Sequence, residues 1–119
     1  MAEIVVLDDI EDAAVLVKRI LSRKGHNVQS FTEEADAIAY VQGNPVELAI
    51  LDIKLKKMSG IQVLDEMKKS SPELKAIMLT GYPTIESARE AMDLGAGAYC
   101  VKPIDKKELE DKVAEILGM

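Results

Sequence analysis

The sequence predicts an α/β fold with a doubly wound five-stranded parallel sheet, strand order 2-1-3-4-5, and helices on both faces. Three observations lead there. The runs Ile4–Leu7 and Leu48–Leu51 are short and apolar without alternation, as buried parallel strands are, and Ala76–Leu79 and Ala98–Val101 read as the fourth and fifth strands. Each run is followed by apolar residues at helical spacing, and strict strand-helix alternation implies right-handed crossovers. The segment Val28-Gln29-Ser30-Phe31 alternates instead, as an edge strand does, and being second in sequence it puts strand two at the rim of the sheet. The topological switch point then falls between strands one and three.

Taken in order, Ile4–Leu7 ends in Asp8-Asp9 and leads into a helix whose Ala13, Ala14, Leu16, Val17, Ile20 and Leu21 share a face, with Val15 outward and Gly25 as its stop. His26 follows in the turn and reads as solvated. After the edge strand, Thr32 is a candidate cap for a second helix carrying Ala35, Ile38, Ala39 and Gln42, ended by Gly43-Asn44-Pro45. Leu48–Leu51 stops at Asp52, and a basic loop closes at Ser59-Gly60 before a third helix with Ile61, Leu64 and Met67. Ala76–Leu79 ends in Thr80-Gly81, and Pro83-Thr84 opens a helix with Ile85, Ala88, Ala91 and Met92 inward. Ala98–Val101 ends in Lys102-Pro103, and Asp105 with Glu108 forms a capping-box pattern for a last helix packed through Leu109, Val113, Ile116 and Leu117.

A chain of 119 residues supports one core, so residues 1–119 read as a single domain. The net charge of -6 disfavours general nucleic-acid binding, which needs a basic face. No apolar stretch approaches a membrane span, and Met1-Ala2-Glu3 runs straight into a strand without a signal-peptide pattern. The expectation is a cytoplasmic protein. Cys100, the one cysteine, lies in an apolar run and reads as a small core residue.

Strands one, three, four and five thus deliver Asp8-Asp9, Asp52, Thr80 and Lys102 to one rim of the sheet. Each alone has an ordinary reading as a loop, cap or surface residue. Together they suggest chemistry. Converging carboxylates repel unless protons or a cation compensate, and hard oxygen donors suit Mg²⁺. A lysine and a hydroxyl beside such a cation can hold an anion, and an aspartate can serve as the nucleophile of phosphoryl transfer. Asp52 is the best placed acid for that role.

These residues, with Leu79-Thr80-Gly81 and Tyr99-Cys100-Val101-Lys102-Pro103, resemble the response-regulator receiver domain of two-component signalling over essentially the whole chain. The resemblance implies that Asp52 accepts a phosphoryl group from the phosphohistidine of a sensor histidine kinase or phosphotransfer protein. It implies Mg²⁺ held by Asp8, Asp9, Asp52 and the backbone carbonyl of Lys54, with Thr80 and Lys102 on the phosphoryl oxygens. Tyr99 matches the switch aromatic that moves with Thr80, and Lys102-Pro103 matches the position of a cis peptide. Such a domain is not a turnover enzyme; phosphorylation biases the surface of the fourth helix, fifth strand and fifth helix toward an effector protein or output domain. Direct nucleic-acid or membrane binding is not expected of it, and phosphorylation-linked homodimerisation is a common family outcome.

Two departures stand out. Many relatives have proline four residues after the acceptor, where this chain has Lys56 followed by Lys57, which implies a less restrained and more basic loop. Lys54 and Tyr82 occupy positions that tune aspartyl-phosphate lifetime in the family. Three competing functions fit the residues less well. An aspartate-nucleophile phosphatase would need a second acid two residues after Asp52, where Lys54 stands, and a receiver-like module that only binds partners would not need the intact acid set. A flavodoxin-like electron carrier is disfavoured by the acids after strand one. The chain is either a stand-alone receiver or the N-terminal part of a longer regulator.

Overall fold

The computed structural model describes residues 1–119. Its elements alternate as β1 (Glu3–Leu7), α1 (Glu11–Ser22), β2 (Asn27–Phe31), α2 (Glu34–Gly43), β3 (Leu48–Leu51), α3 (Gly60–Ser70), β4 (Lys75–Thr80), α4 (Ile85–Asp93), β5 (Ala98–Val101) and α5 (Lys106–Leu117). All strands are parallel in one sheet, ordered β2-β1-β3-β4-β5. Leu7 is level with Leu51, Leu51 with Met78, and Thr80 with Val101. This register brings the residues that follow β1, β3 and β5 to one edge.

The sheet separates two apolar clusters, because successive strand residues point to opposite faces. Val5, Leu7, Ala49, Leu51, Ala76 and Met78 meet Ala37 and Val41 of α2, Val63, Leu64 and Met67 of α3, and Ala91 of α4. Ile4, Val6, Leu48, Ile50, Ile77, Leu79 and Cys100 meet Ala14, Val17 and Leu21 of α1 and Leu109 and Val113 of α5. Every residue of β3 is buried, so truncation there, as in Leu51→Ala, costs about 2–5 kcal/mol.

Several local expectations are corrected. On α1, Leu16 is 53% exposed, while Ala14, Val17 and Leu21 carry the buried stripe. On α2, Glu33 and not Thr32 occupies the cap position, and the inward residues are Ala37 and Val41, whereas Ala35, Ala39 and Gln42 face solvent. The displaced phase has a polar cause. Glu34 fills the inward position of the first turn, which an apolar count cannot register. On α4, Ile85 and Met92 are 78% and 52% exposed, because this short helix approaches the core through the small side chain of Ala91.

His26 is not solvated. It is buried, and its Nδ1 accepts a hydrogen bond of 3.1 Å from the Ala2 N–H, tying the start of β1 to the start of β2. Burial holds its pKa below the ordinary 6.5, with the N-terminal charge adding to that effect. At the α5 start, Asp105 accepts from the Glu108 N–H, which is half of the expected capping box. A reciprocal box forms instead at α3, where Ser59 and Gln62 each accept from the other's backbone N–H.

Candidate functional site

The site is assembled by short turns that leave the sheet at its carboxyl edge. β1 ends at Leu7, and the buried Asp8 turns back so that its Oδ1 accepts from the Ile10 N–H at 2.9 Å. β3 ends at Leu51, and Asp52 does the same with the Lys54 N–H at 3.2 Å. These local side-chain bonds make each aspartate its own turn-former and leave its second oxygen to meet Lys102 at the end of β5. Carboxylate oxygens of Asp8, Asp9 and Asp52 lie within 4.8 Å of one another.

Lys102 enters this cluster from the end of β5. Its Nζ lies 2.5 Å from Asp8 Oδ2 and 3.2 Å from Asp52 Oδ2, while its N–H donates to the Thr80 carbonyl at 2.8 Å. The Lys102–Pro103 peptide is cis. Burial pushes the Asp52 carboxyl above its ordinary value. Lys102 and the Lys54 N–H oppose the push, and the Asp8 charge reinforces it. For Lys102 burial acts downward but is outweighed by Asp8 and Asp52, so the ammonium is held above the ordinary lysine value. The result is an ammonium firmly charged beside a carboxylate that is costly to ionise.

Charge counting tests whether these residues suit a divalent cation. Three carboxylates against one ammonium leave two negative charges at a half-closed site. The Asp9 side chain, half-buried, makes no hydrogen bond or ion pair within the chain. An oxygen-only donor set with two uncompensated charges fits Mg²⁺, which takes one or two carboxylates and keeps several waters. Above the cluster a cleft of about 370 Å³ opens between Asp9, Ile10, Lys54, Leu55, Gly81 and Tyr82, with Asp52 and Lys102 at its base.

Thr80, fully buried at the end of β4, accepts from the Tyr82 N–H at 3.0 Å through Oγ1. Tyr99 sits one strand over with its hydroxyl 2.6 Å from Ser87 Oγ, and it accepts from the Thr84 N–H at 3.2 Å. Thr84 in turn caps α4 by accepting from the Ser87 N–H. Tyr99 is therefore latched to the first turn of α4 by a hydroxyl cluster, and Ser87 was not singled out by sequence reasoning. The Ser87 position, three residues after a candidate cap, was the available signal. Lys54 lies over the Tyr82 ring with Nζ 4.2 Å from its centroid, which closes one side of the cleft. The predicted Asp8, Asp9, Asp52 and Lys102 are brought into one group; Thr80 stands beside it, and the Tyr99 side chain reaches away from it to the β4–α4 turn.

A parallel doubly wound sheet with an acid cluster and a lysine at its switch point places the chain among the α/β domains that bind ligands at the carboxyl ends of their strands. The more specific assignment follows from comparison: residues 4–114 match the family model of the response regulator receiver domain, and the chain belongs to that family. It is 30% identical over 116 residues to the Transcriptional regulatory protein ZraR of Salmonella typhimurium, covering 98% of this chain and 26% of that protein. The chain thus spans about a quarter of the length of that relative. The crystal structure of a CheY-like response regulator receiver domain protein from Methanospirillum hungatei JF-1 superposes with a TM-score of 0.95 at 31% identity, covering 99% of this chain and 94% of that one. A response regulator protein from Burkholderia pseudomallei, crystallised with a phosphorylated aspartic acid, calcium ion and citrate, superposes at 0.87 with 27% identity, covering 98% of this chain and 66% of the other. No helix is long and apolar enough to cross a membrane.

Proposed function

We propose that this chain is a phosphorylation-controlled switch whose Asp52 takes a phosphoryl group from the phosphohistidine of a sensor kinase or phosphotransfer protein. The observation that carries the reading is the Lys102 ammonium bridging Asp8 and Asp52 within a group of three carboxylates at the base of an open cleft. A relative crystallised with a phosphorylated aspartic acid and a calcium ion supports the same chemistry here. Response regulators work with histidine kinases and output domains, and the downstream partner of this chain is an effector or an attached output domain.

In the reaction an Asp52 oxygen attacks phosphorus, the phosphorus–nitrogen bond breaks, and its electron pair returns to the donor imidazole. Lys102 offers its charge to the incoming phosphoryl oxygens, and because it is already seated, little reorganisation is needed. Asp8, Asp9, Asp52 and the Lys54 carbonyl would hold Mg²⁺, which supplies charge neutralisation to the transferring group. Asp52 must be ionised to attack; burial opposes that form, and the Lys102 ammonium 3.2 Å from its Oδ2 favours it.

The phosphorylated Asp52 carries new acceptor oxygens, so Thr80 exchanges its bond with the Tyr82 N–H for one to the phosphoryl group. That movement strains the Thr80–Thr84 turn and releases Tyr99 from Ser87, changing the surface of α4, β5 and α5. The proposal is tested by amide NMR before and after addition of acetyl phosphate and Mg²⁺. Shifts concentrated at Thr80, Tyr82, Ser87 and Tyr99, absent in Asp52→Ala, are expected. Shifts confined to the Asp52 loop would contradict switching.

A further inference from the structure

Glu34 is the least expected side chain in the molecule. It is 3% exposed, belongs to the first turn of α2, and reaches across to the β3–α3 loop. Its Oε2 accepts from the Lys57 N–H at 2.6 Å and the Met58 N–H at 3.1 Å, whereas Oε1 is buried without a partner. A buried carboxylate oxygen with no partner is a cost that stability alone does not explain. Glu34 stays ionised despite it, since the backbone bonds from Lys57 and Met58 outweigh the desolvation and hold its pKa below the ordinary value.

The loop that Glu34 grips is the one that follows Asp52. It is fastened at its start by Asp52 Oδ1 to the Lys54 N–H, and at its end by the Gly60 N–H to the Ile53 carbonyl at 2.8 Å. Between these points, Leu55 and Met58 pack against the core, and Glu34 is the buried polar group that holds the loop's backbone. On the outside, Lys56 and Lys57 each approach Glu33 at 3.9 Å, a solvent-screened pairing worth little by itself. The Lys56 N–H makes no hydrogen bond, so nothing in the backbone at that residue restrains the loop.

From this geometry we infer that Glu34 is a positioning residue for the Asp52 site: its carboxylate clamps the Lys57 and Met58 amides and so presets the loop whose Lys54 carbonyl would serve as a metal ligand. The inference rests on the Mg²⁺ reading above. It also revises the expectation of a loosely held loop, because the restraint comes from the first turn of α2 and not from loop sequence.

The test is calorimetric titration of Mg²⁺ into the wild-type chain, Glu34→Ala, Glu34→Gln and the double variant Glu34→Ala/Lys56→Pro. Removing a partner that orients a metal ligand weakens affinity by about tenfold or more, which is expected for Glu34→Ala. Glu34→Gln keeps the volume and one acceptor oxygen, so its loss is smaller, and it serves as the readout if Glu34→Ala does not fold. Proline at position 56 removes backbone freedom without breaking a hydrogen bond and restores most of the affinity. At saturating Mg²⁺ the phosphorylation rate from acetyl phosphate returns to the wild-type value, separating binding from chemistry. Wild-type affinity in both Glu34 variants, or a loss untouched by Lys56→Pro, overturns the inference alone. A wild-type chain that binds no Mg²⁺ overturns the metal reading and this inference with it.

Discussion

Lys102→Met removes the one cation paired with Asp8 and Asp52 and keeps an apolar stem of similar length. Breaking a fully buried ion pair costs about 3–5 kcal/mol. The Lys102 side chain is 26% exposed, against 7% for Asp8 and 11% for Asp52, so water screens part of the attraction. A loss of about 2 kcal/mol at neutral pH is expected. The pH dependence follows from the direction of each shift. Lys102 is held above its ordinary 10.5, so its contribution is complete at neutral pH and disappears only as pH rises through the alkaline range. On the acid side it needs ionised partners, and Asp52, held above its ordinary 3.8, takes up its proton earlier than a free aspartate during acidification. The deficit therefore shrinks toward about pH 4. It also shrinks when Mg²⁺ is added, because a divalent ion restores the missing positive charge. Urea unfolding followed by far-ultraviolet circular dichroism suits a chain without tryptophan. An equal deficit at both pH values would place the effect in packing, and no deficit at neutral pH would refute the charge balance described for the site.

Three further outcomes are expected. His26 is held below the ordinary 6.5, so its neutral form favours the fold: wild-type stability is fully present above about pH 6.5 and declines below it, and His26→Gln shows a flatter profile in denaturation between about pH 5 and 7.5. Gly60→Ala places a Cβ against the Asp52 carbonyl, so thermal unfolding should show a loss of about 1–3 kcal/mol, and an unchanged midpoint would mean that the loop has slack. Ser87→Ala deprives the Tyr99 hydroxyl of its closest partner, costing about 1 kcal/mol and broadening the Tyr99 ring signals in NMR spectra; sharp, unshifted signals would show that the Thr84 N–H alone holds the ring.

The strands were legible because each apolar run stops abruptly at a charged or hydroxyl residue, and the same stops mark Asp8, Asp52, Thr80 and Lys102. Burial on both faces makes β1, β3 and β4 nearly uniform in composition, whereas β5 is an apolar edge strand whose Val101 is half exposed. Helix faces were less legible where polarity and position conflict. The α2 stripe runs through Glu34, Ala37 and Val41, and a buried glutamate cannot be told from a solvated one by spacing. On α4 the apolar Ile85 and Met92 remain at the surface, since local periodicity records amphipathicity but not which face has a partner. His26 followed the same logic: its burial depends on the Ala2 N–H, which arrives from 24 residues away. The Glu34 clamp is likewise a contact across the chain, and the Thr84–Ser87 spacing marks a cap but not its link to Tyr99.

The central claim is that Asp52 is the phosphoryl acceptor of a cation-dependent site. It is tested most directly by intact mass after incubation with acetyl phosphate, with and without Mg²⁺, on the wild-type chain and Asp52→Ala, with peptide mapping of the modified product. A gain of one phosphoryl group that requires Mg²⁺, maps to Asp52 and is absent from the variant is predicted. No gain under conditions that modify a known receiver, or an equal gain in Asp52→Ala, would contradict it.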